Sequence, residues 1–123
     1  MSTGTTAAEA VRAVLQRYGV RSVFALAGAS QSVLLNEVDR HGIRVIQTRH
    51  ETATVGAADG YARMRRGIGV AIINADQGMA NAVTGMQSAF EACTPIVVLV
   101  GREPHSWIEP ELPIDHDALA LLR

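Results

Sequence analysis

Three short segments carry the polar residues that could do chemistry, and each follows a run of β-forming residues. They are residues 27–30, 49–51 and 74–81, which read Ala-Gly-Ala-Ser, Arg-His-Glu and Asn-Ala-Asp-Gln-Gly-Met-Ala-Asn. Ligands of open α/β sheets bind beyond the carboxyl ends of the strands. We therefore expect these three segments to build the functional site.

The pair His50-Glu51 is the most informative part of these segments, because it stands between a predicted strand and a predicted helix. A carboxylate at a helix start lies at the positive end of the helix dipole, where it can cap the helix or face a ligand. Position alone favours the capping role, since acidic residues are ordinary in the first helical turn.

Common catalytic and nucleotide-binding motifs are missing from the sequence. Gly28 has no partner glycine two residues later, and the Gly-Ile-Gly at residues 67–69 precedes a strand, so no dinucleotide fingerprint is present. The nucleophile elbow, the lysine of a phosphate loop and the zinc-binding helix are absent as well. We interpret Met86 and Phe90 as core residues rather than cofactor contacts, and Cys93 as a small buried hydrophobe.

Composition indicates a single domain over residues 1–123, with 48% hydrophobic and 19% charged residues. Eleven basic and twelve acidic residues give a net charge of −1, which lacks the positive field that nucleic acids require. The longest strongly apolar run, residues 96–100, is far shorter than the ~20 residues of a membrane helix. Without a basic and apolar leader, a cytoplasmic protein is expected.

Helical and strand patterns alternate along the chain. Thr6 and Glu9 have capping-box spacing, and Gly19, Gly42 and Gly67 are expected to end the first three helices. The predicted helices cover residues 7–18, 31–40, 52–64, 79–91 and 115–122, and the predicted strands cover residues 21–26, 43–47, 68–73 and 96–100. This alternation predicts an α/β fold, a three-layer α/β/α doubly wound parallel sheet.

Four ordered segments resemble the pyrimidine-binding domain of thiamine-diphosphate enzymes, a family that includes acetolactate synthase and benzoylformate decarboxylase. The resemblance extends from about residue 19 to about residue 116 and implies the thiamine-diphosphate-binding fold. The segments are Arg-His-Glu at 49–51, Ala-Ala-Asp-Gly-Tyr-Ala-Arg at 57–63, Gly-Met-Ala-Asn-Ala-Val-Thr-Gly at 78–85 and Thr-Pro-Ile-Val-Val-Leu-Val-Gly at 94–101.

The resemblance implies that Glu51 hydrogen-bonds the N1′ atom of the cofactor's aminopyrimidine ring and is the catalytic residue. A proton shared with N1′ favours the imino tautomer, whose exocyclic nitrogen removes the C2 proton of the thiazolium ring. Gly28, Gly78 and Asn81 match family positions that line the cofactor cleft. His50, next to Glu51, is a weaker candidate for contact with substrate.

The sequence departs from the family pattern at two loops. Ala27 replaces the proline usual before Gly28, and Asp76-Gln77 replace the Gly-Pro usual before Gly78. Asp76 and Gln77 are weak candidates for substrate contact. An added carboxylate that faces the cleft could change the substrate preference or indicate that catalysis has been lost.

The family's motif for diphosphate and Mg²⁺, Gly-Asp-Gly followed by paired asparagines, is missing. Family domains also continue for about one more strand and helix, so the domain is expected to be truncated and to hold no metal itself. The resemblance therefore implies thiamine diphosphate bound together with a separate diphosphate-binding domain or subunit that holds Mg²⁺. Alone, the chain is expected to be inactive.

The function expected from this resemblance is the pyrimidine-side half-site of a 2-oxo-acid decarboxylase or an acetolactate-synthase-like carboligase. A homo-oligomer is expected, with an interface on the helices that carry Ala53, Ala57 and Ala58 and Met79, Val83 and Met86. One alternative is a non-catalytic association or regulatory domain that retains the fold. A nucleotide-binding domain is a further alternative that rests on fold analogy alone.

Overall fold

The computed structural model describes residues 4–75 and 77–101. Asp76 and the helix predicted over residues 115–122 lie outside the described residues. The elements are α1 (Ala7–Arg17), β1 (Ser22–Ala25), α2 (Ser32–Arg40), β2 (Arg44–Gln47), α3 (Glu51–Arg65), β3 (Gly69–Asn74), α4 (Gln77–Glu91) and β4 (Ile96–Gly101), with a 3₁₀ turn, Ala29–Gln31, before α2.

The strands form one parallel sheet in the order β2-β1-β3-β4. In its register, Phe24 of β1 lies opposite Ile46 of β2 and Ala71 of β3, and Ala71 lies opposite Val98 of β4. The connection after β1 leads outward to β2, whereas the connection after β3 leads outward to β4 on the other side. The carboxyl ends of β1 and β3 therefore form the topological switch point of the sheet, where ligands of such folds bind.

Side chains of alternate strand residues point to opposite faces of the sheet and form one apolar layer on each face. Val23 and Ile72 pack with Leu15 of α1 and residues of α2 on one face. Phe24 and Ile73 pack with residues of α3 and α4 on the other face. Because residues 70–73 of β3 are at most 1% exposed, β3 is an interior strand, and the predicted three-layer α/β/α fold is confirmed.

The predicted start of α1 is confirmed, and one predicted helix end is wrong. The Thr6 hydroxyl accepts a hydrogen bond from the Glu9 backbone N–H at 3.2 Å, and a Glu9 carboxylate oxygen accepts one from the Thr6 N–H at 2.7 Å. Gly19 and Gly42 adopt positive φ angles at the ends of α1 and α2. The left-handed residue after α3 is Arg66 (φ 51°) rather than Gly67, because the Gly67 N–H bonds back to the Ala62 carbonyl.

Two side chains interpreted as core residues are exposed instead. Phe90 is 84% exposed, since α4 buries Ala82 and Ala89 and the next position along the helix falls outside that face. Cys93 is exposed in the turn between α4 and β4, with a left-handed φ of 52°. Met86 packs partly buried against the layer beneath α3 and α4, so its interpretation as a core residue is confirmed.

An apolar groove of about 430 Å³ lies between α1 and the sheet, on the face away from α3 and α4. The Tyr18 hydroxyl is the one polar group among the side chains that line it. The residues that shape it include Val11, Val14, Tyr18, Ile68, Val97 and Leu99.

Within residues 4–75 and 77–101, no helix is both long enough and apolar enough to cross a membrane. The cytoplasmic location expected from the sequence stays a prediction.

Candidate functional site

The topology brings the three segments identified in the sequence together beside the switch point. The Ser30 hydroxyl, from the loop after β1, donates a hydrogen bond at 3.1 Å to Oδ1 of Asn74 at the end of β3. Glu51, from the loop after β2, accepts a hydrogen bond from Asn81 of α4, the helix that follows β3. These two pairs join residues that lie far apart in the sequence, and Gly78 lies close to both Asn74 and Glu51.

Glu51 is the first residue of α3, and it is only 7% exposed. Its Oε2 accepts a hydrogen bond from Nδ2 of Asn81 at 3.0 Å, and among the residues that the structure describes Asn81 is the one hydrogen-bond donor to this carboxylate. The carboxylate also lies beside Gly78 in the first turn of α4. The positive ends of two helix dipoles therefore meet at Glu51 and stabilise a negative charge there.

The capping role that sequence position favours for Glu51 belongs to His50. His50 is the N-cap residue of α3, and its Nδ1 accepts a hydrogen bond from the Thr52 backbone N–H at 3.3 Å. In a neutral ring this bond places the proton on Nε2. Because His50 caps the helix, the Glu51 carboxylate is available for another task. A contact between the exposed His50 and substrate stays a prediction.

Close packing of α3 against α4 sets the distance between Glu51 and Asn81. A Cβ added at Gly85 would lie 3.0 Å from Cβ of Val55, so the two helices approach closely at this glycine. The Thr52 hydroxyl also donates a short hydrogen bond to the backbone carbonyl of Asn81. Sequence reasoning missed Thr52 and the packing role of Gly85. The four-residue spacing of Asn81 and Gly85, which puts both on one helix face, is a signal for the packing role of Gly85, whereas nothing in the sequence singles out Thr52.

Gly78 leaves space beside the second oxygen of Glu51. A Cβ at this position would lie 3.1 Å from Oε1 of Glu51 and 3.2 Å from Cβ of Asn74. Either distance is tighter than an ordinary carbon contact, so a side chain here would crowd the carboxylate. The missing side chain therefore keeps a cradle open at Oε1.

Gly28 is required by a close approach rather than by its backbone angles. Its φ of −146° and ψ of 174° are extended and suit any residue, but a Cβ would overlap the side-chain amide of Asn74. Ser30 holds that amide from the other side, and its hydroxyl also lies 3.3 Å from the Gly101 carbonyl at the end of β4. Ser30 and Asn74 lie in two of the three segments expected from the sequence to build the site, but their hydrogen bond to each other was not predicted.

Two further features of the site are the position of Gln77 and whether its side chains could bind a metal ion. Gln77 is the exposed first residue of α4, and no described contact connects it with Glu51. In the part of the chain that the structure describes, no group of three His, Cys, Asp or Glu side chains could hold a metal ion.

Comparison with known proteins places this geometry in a family context. Residues 5–120 match the family model described as "Thiamine pyrophosphate enzyme, N-terminal TPP binding domain". The chain is 45% identical over 93 residues to mouse 2-hydroxyacyl-CoA lyase 2, which covers 76% of this chain and 15% of that protein. It is 36% identical over 110 residues to the acetolactate synthase large subunit IlvG of Mycobacterium tuberculosis, which covers 85% of this chain and 20% of that protein.

A solved structure shares the fold. An enzyme from Mycobacterium smegmatis, described as thiamin diphosphate-dependent, superposes with a TM-score of 0.77 at 19% sequence identity, over 85% of this chain and 20% of that chain. The chain thus spans between 15% and 20% of the length of these three proteins. The family match covers nearly all of the sequence, and the chain belongs to the N-terminal TPP-binding domain family of the thiamine pyrophosphate enzymes.

Proposed function

We propose that this domain binds the aminopyrimidine ring of thiamine diphosphate and supplies Glu51 as the catalytic residue of a 2-oxo-acid decarboxylase or an acetolactate-synthase-like carboligase. One observation carries the proposal. The buried Glu51 carboxylate does not cap its own helix, because His50 does, and it is held instead across the α3–α4 contact by Asn81.

The residues present fit the aminopyrimidine ring in two respects. Glu51 offers Oε1 beside the cradle that Gly78 leaves open, and a carboxyl group there can share a proton with a ring nitrogen such as N1′. Asn74 at the end of β3 and Ser30 in the turn after β1 are hydrogen-bonded to each other, and the Asn74 side chain lies beside both Gly28 and Gly78. Glu51, Gly28 and Gly78 would therefore hold the ring, with Asn81 behind the carboxylate.

When bound, the cofactor supplies the carbon nucleophile that attacks the carbonyl group of a 2-oxo acid. Glu51 holds the proton that it shares with N1′ and moves it towards or away from the ring as the reaction requires. Burial of the carboxylate at 7% exposure excludes water, which strengthens this hydrogen bond. The positive ends of α3 and α4 keep the carboxylate stable when the proton resides on the ring.

Diphosphate and Mg²⁺ are held, in this proposal, by a separate domain or a partner subunit. The sequence lacks Gly-Asp-Gly followed by paired asparagines, and the relatives are much longer than this chain. In this proposal the complete site forms at an interface between subunits, and copies of this chain are among those subunits. Ala58 and Met79, expected at that interface, are buried within this chain at 0% and 4% exposure, which leaves the exposed Ala53 and the partly exposed Ala57, Val83 and Met86 for the proposed interface.

A second candidate activity is cleavage of 2-hydroxyacyl-CoA. Identity to mouse 2-hydroxyacyl-CoA lyase 2 is 45%, against 36% to the acetolactate synthase large subunit. Both candidates use the same pyrimidine-side residues, so they differ in the substrate rather than in the role of Glu51.

Calorimetry with thiamine diphosphate and Mg²⁺ tests the proposal, first on the chain alone and then on the chain together with a diphosphate-binding domain or subunit. We expect weak heat in the first titration and saturable binding in the second. The absence of binding in both would support the non-catalytic alternative, and heat on titration with nucleotides instead would support the nucleotide-binding alternative. Turnover by the purified chain without any partner would also contradict the proposal.

A further inference from the structure

The two oxygens of the Glu51 carboxylate lie in different surroundings. Oε2 accepts the hydrogen bond from Nδ2 of Asn81 at 3.0 Å. Oε1 lies on the side of Gly78, where an added Cβ would come within 3.1 Å of it. One oxygen is therefore hydrogen-bonded to α4, and the other lies beside the glycine in the first turn of the same helix.

Asn81 is fixed in place by contacts that do not involve its own side chain. Its backbone carbonyl accepts the hydrogen bond from the Thr52 hydroxyl. One turn later, Gly85 brings α4 close to Val55 of α3. These contacts hold the backbone of α4 at Asn81 in place beside α3, within reach of Glu51, and the hydrogen bond to Oε2 orients the Asn81 amide group.

We infer that Asn81 is a positioning residue that acts through Glu51 rather than a contact of the cofactor. This inference rests on the proposed function. Asn81 was expected among the cofactor contacts, but in the structure its Nδ2 donates a hydrogen bond to Oε2 of Glu51. An amide NH₂ group only donates hydrogen bonds, so it keeps Oε2 an acceptor and favours Oε1 as the oxygen that shares a proton with N1′.

This role differs from that of a simple bridge between helices. Substitution of the Asn81 side chain leaves the Thr52 hydrogen bond to its backbone carbonyl and the contact between Gly85 and Val55 in place. Truncation of the side chain should therefore change the orientation of the Glu51 carboxylate more than it changes the stability of the domain.

The first test uses the isotope-labelled chain alone and needs no cofactor. The side-chain NH₂ resonances of Asn81 should move in NMR spectra when Glu51 is changed to Gln, because the charged acceptor is lost. Gln87 is a matched reporter, since its Nε2 donates to the Glu91 carboxylate at 3.1 Å on the same helix. Its NH₂ resonances should stay in place. Unchanged Asn81 resonances would overturn the inference.

The second test measures exchange of the C2 proton of thiamine diphosphate by NMR, with the chain and its diphosphate-binding domain saturated with cofactor and Mg²⁺. Asn81→Ala and the isosteric Asn81→Asp should slow this exchange by about 10- to 100-fold, the range expected for a lost hydrogen bond to a charged group. The dissociation constant of the cofactor should change by less than about threefold, a shift smaller than one hydrogen bond. Gln87→Ala, which breaks the matched bond, should leave both quantities unchanged.

The outcomes separate this inference from the proposed function. If Glu51→Gln exchanges the C2 proton at the normal rate, the proposed function fails. If Glu51→Gln is slow but both Asn81 variants are normal, the proposed function stands and the positioning role fails. A loss of cofactor affinity with normal exchange at saturation would make Asn81 a direct cofactor contact, and it would overturn the inference as well.

Discussion

Two helices of this domain begin with a glutamate in the first turn, and the two glutamates do different work. Glu9 of α1 is partly exposed and closes a capping box with Thr6. The hydrogen bond from the Thr6 backbone N–H lowers the pKa of Glu9 below its ordinary value. Glu51 of α3 is buried and bonds to Asn81 of another helix, while His50 caps α3 in its place.

This difference shows when an acidic residue at a helix start is a candidate for function. Both glutamates stand in the first turn of a helix, where a carboxylate suits the helix dipole, although Glu9 is the third residue of α1 and Glu51 the first residue of α3. What separates them is whether the carboxylate itself takes part in the cap of its own helix. At α1 the acid is part of the cap, whereas at α3 the cap is complete without it, so the burial of Glu51 requires another explanation.

The largest expected effect is that of Glu51→Gln. Proton transfer by a positioned side chain contributes about 10²–10⁴-fold, or ~3–5 kcal/mol of barrier, so turnover and C2-proton exchange should fall by that factor. The fold should remain intact, because Gln keeps the shape of Glu and α3 keeps its His50 cap. Glu9→Gln is the matched control and should leave turnover unchanged. Equal rates for the two variants would remove the distinction between the two glutamates.

The next effect concerns the cradle beside Glu51. In Gly78→Ala, the new Cβ should press against Oε1 of Glu51, and overpacking of this kind typically costs about 1–3 kcal/mol. Calorimetry should therefore show cofactor affinity reduced by about tenfold or more. Gly60→Ala on α3 is the control, since a Cβ there meets nothing within 4 Å. It should raise the free energy of unfolding by about 0.5–1 kcal/mol and leave affinity unchanged. Unreduced affinity in Gly78→Ala would contradict the cradle.

A smaller effect is expected at the other helix start. Thr6→Ala removes the acceptor for the Glu9 backbone N–H and should lower the free energy of unfolding by about 1 kcal/mol. Urea denaturation measures this change. Cofactor affinity should not respond, because α1 lies on the face of the sheet away from Glu51. A change in affinity would show that the two helix starts are coupled.

The fold was largely predictable because its signals are local. The Thr6 and Glu9 spacing, the glycines that end α1 and α2, and the apolar run of β3 each act within a few residues. The wrong predictions concern side chains whose burial depends on how the helices pack on the sheet. Phe90 fits a helical periodicity yet falls outside the buried face of α4, and Cys93 lies in an exposed turn.

For the candidate site, too, some features could be predicted from the sequence and others could not. Glu51, Gly78 and Asn81 were candidates because they stand in the ordered segments that resemble the family, and Gly28 was a candidate because it matches a loop position of the family. The separate role of each residue could not be predicted, because it depends on contacts between residues about 30 positions apart, such as the hydrogen bond between Asn81 and Glu51. Asn74 and Thr52 carry ordinary polar side chains, and only the assembled sheet and helix pair show what they contact.

The smallest effect concerns carboxylates that stabilise the fold without taking part in the site, and it appears in the dependence of stability on pH. Asp59 of α3 forms an ion pair with Arg63 at 2.7 Å, and the hydrogen bond from Arg63 lowers the pKa of Asp59. The pKa of Glu9 is lowered too. A carboxylate whose pKa is lower in the folded state binds protons more readily when unfolded. Its contribution is therefore present above the unfolded pKa of about 4 and is lost as the pH falls through the folded pKa.

Urea midpoints measured from pH 7 down to about pH 3 should decline in the native chain. They should decline less steeply in Asp59→Asn and Glu9→Gln, and a decline of unaltered slope in both variants would contradict this assignment. At pH 7 both variants should be slightly less stable than the native chain, because each loses the stabilisation that its carboxylate supplies in the charged form.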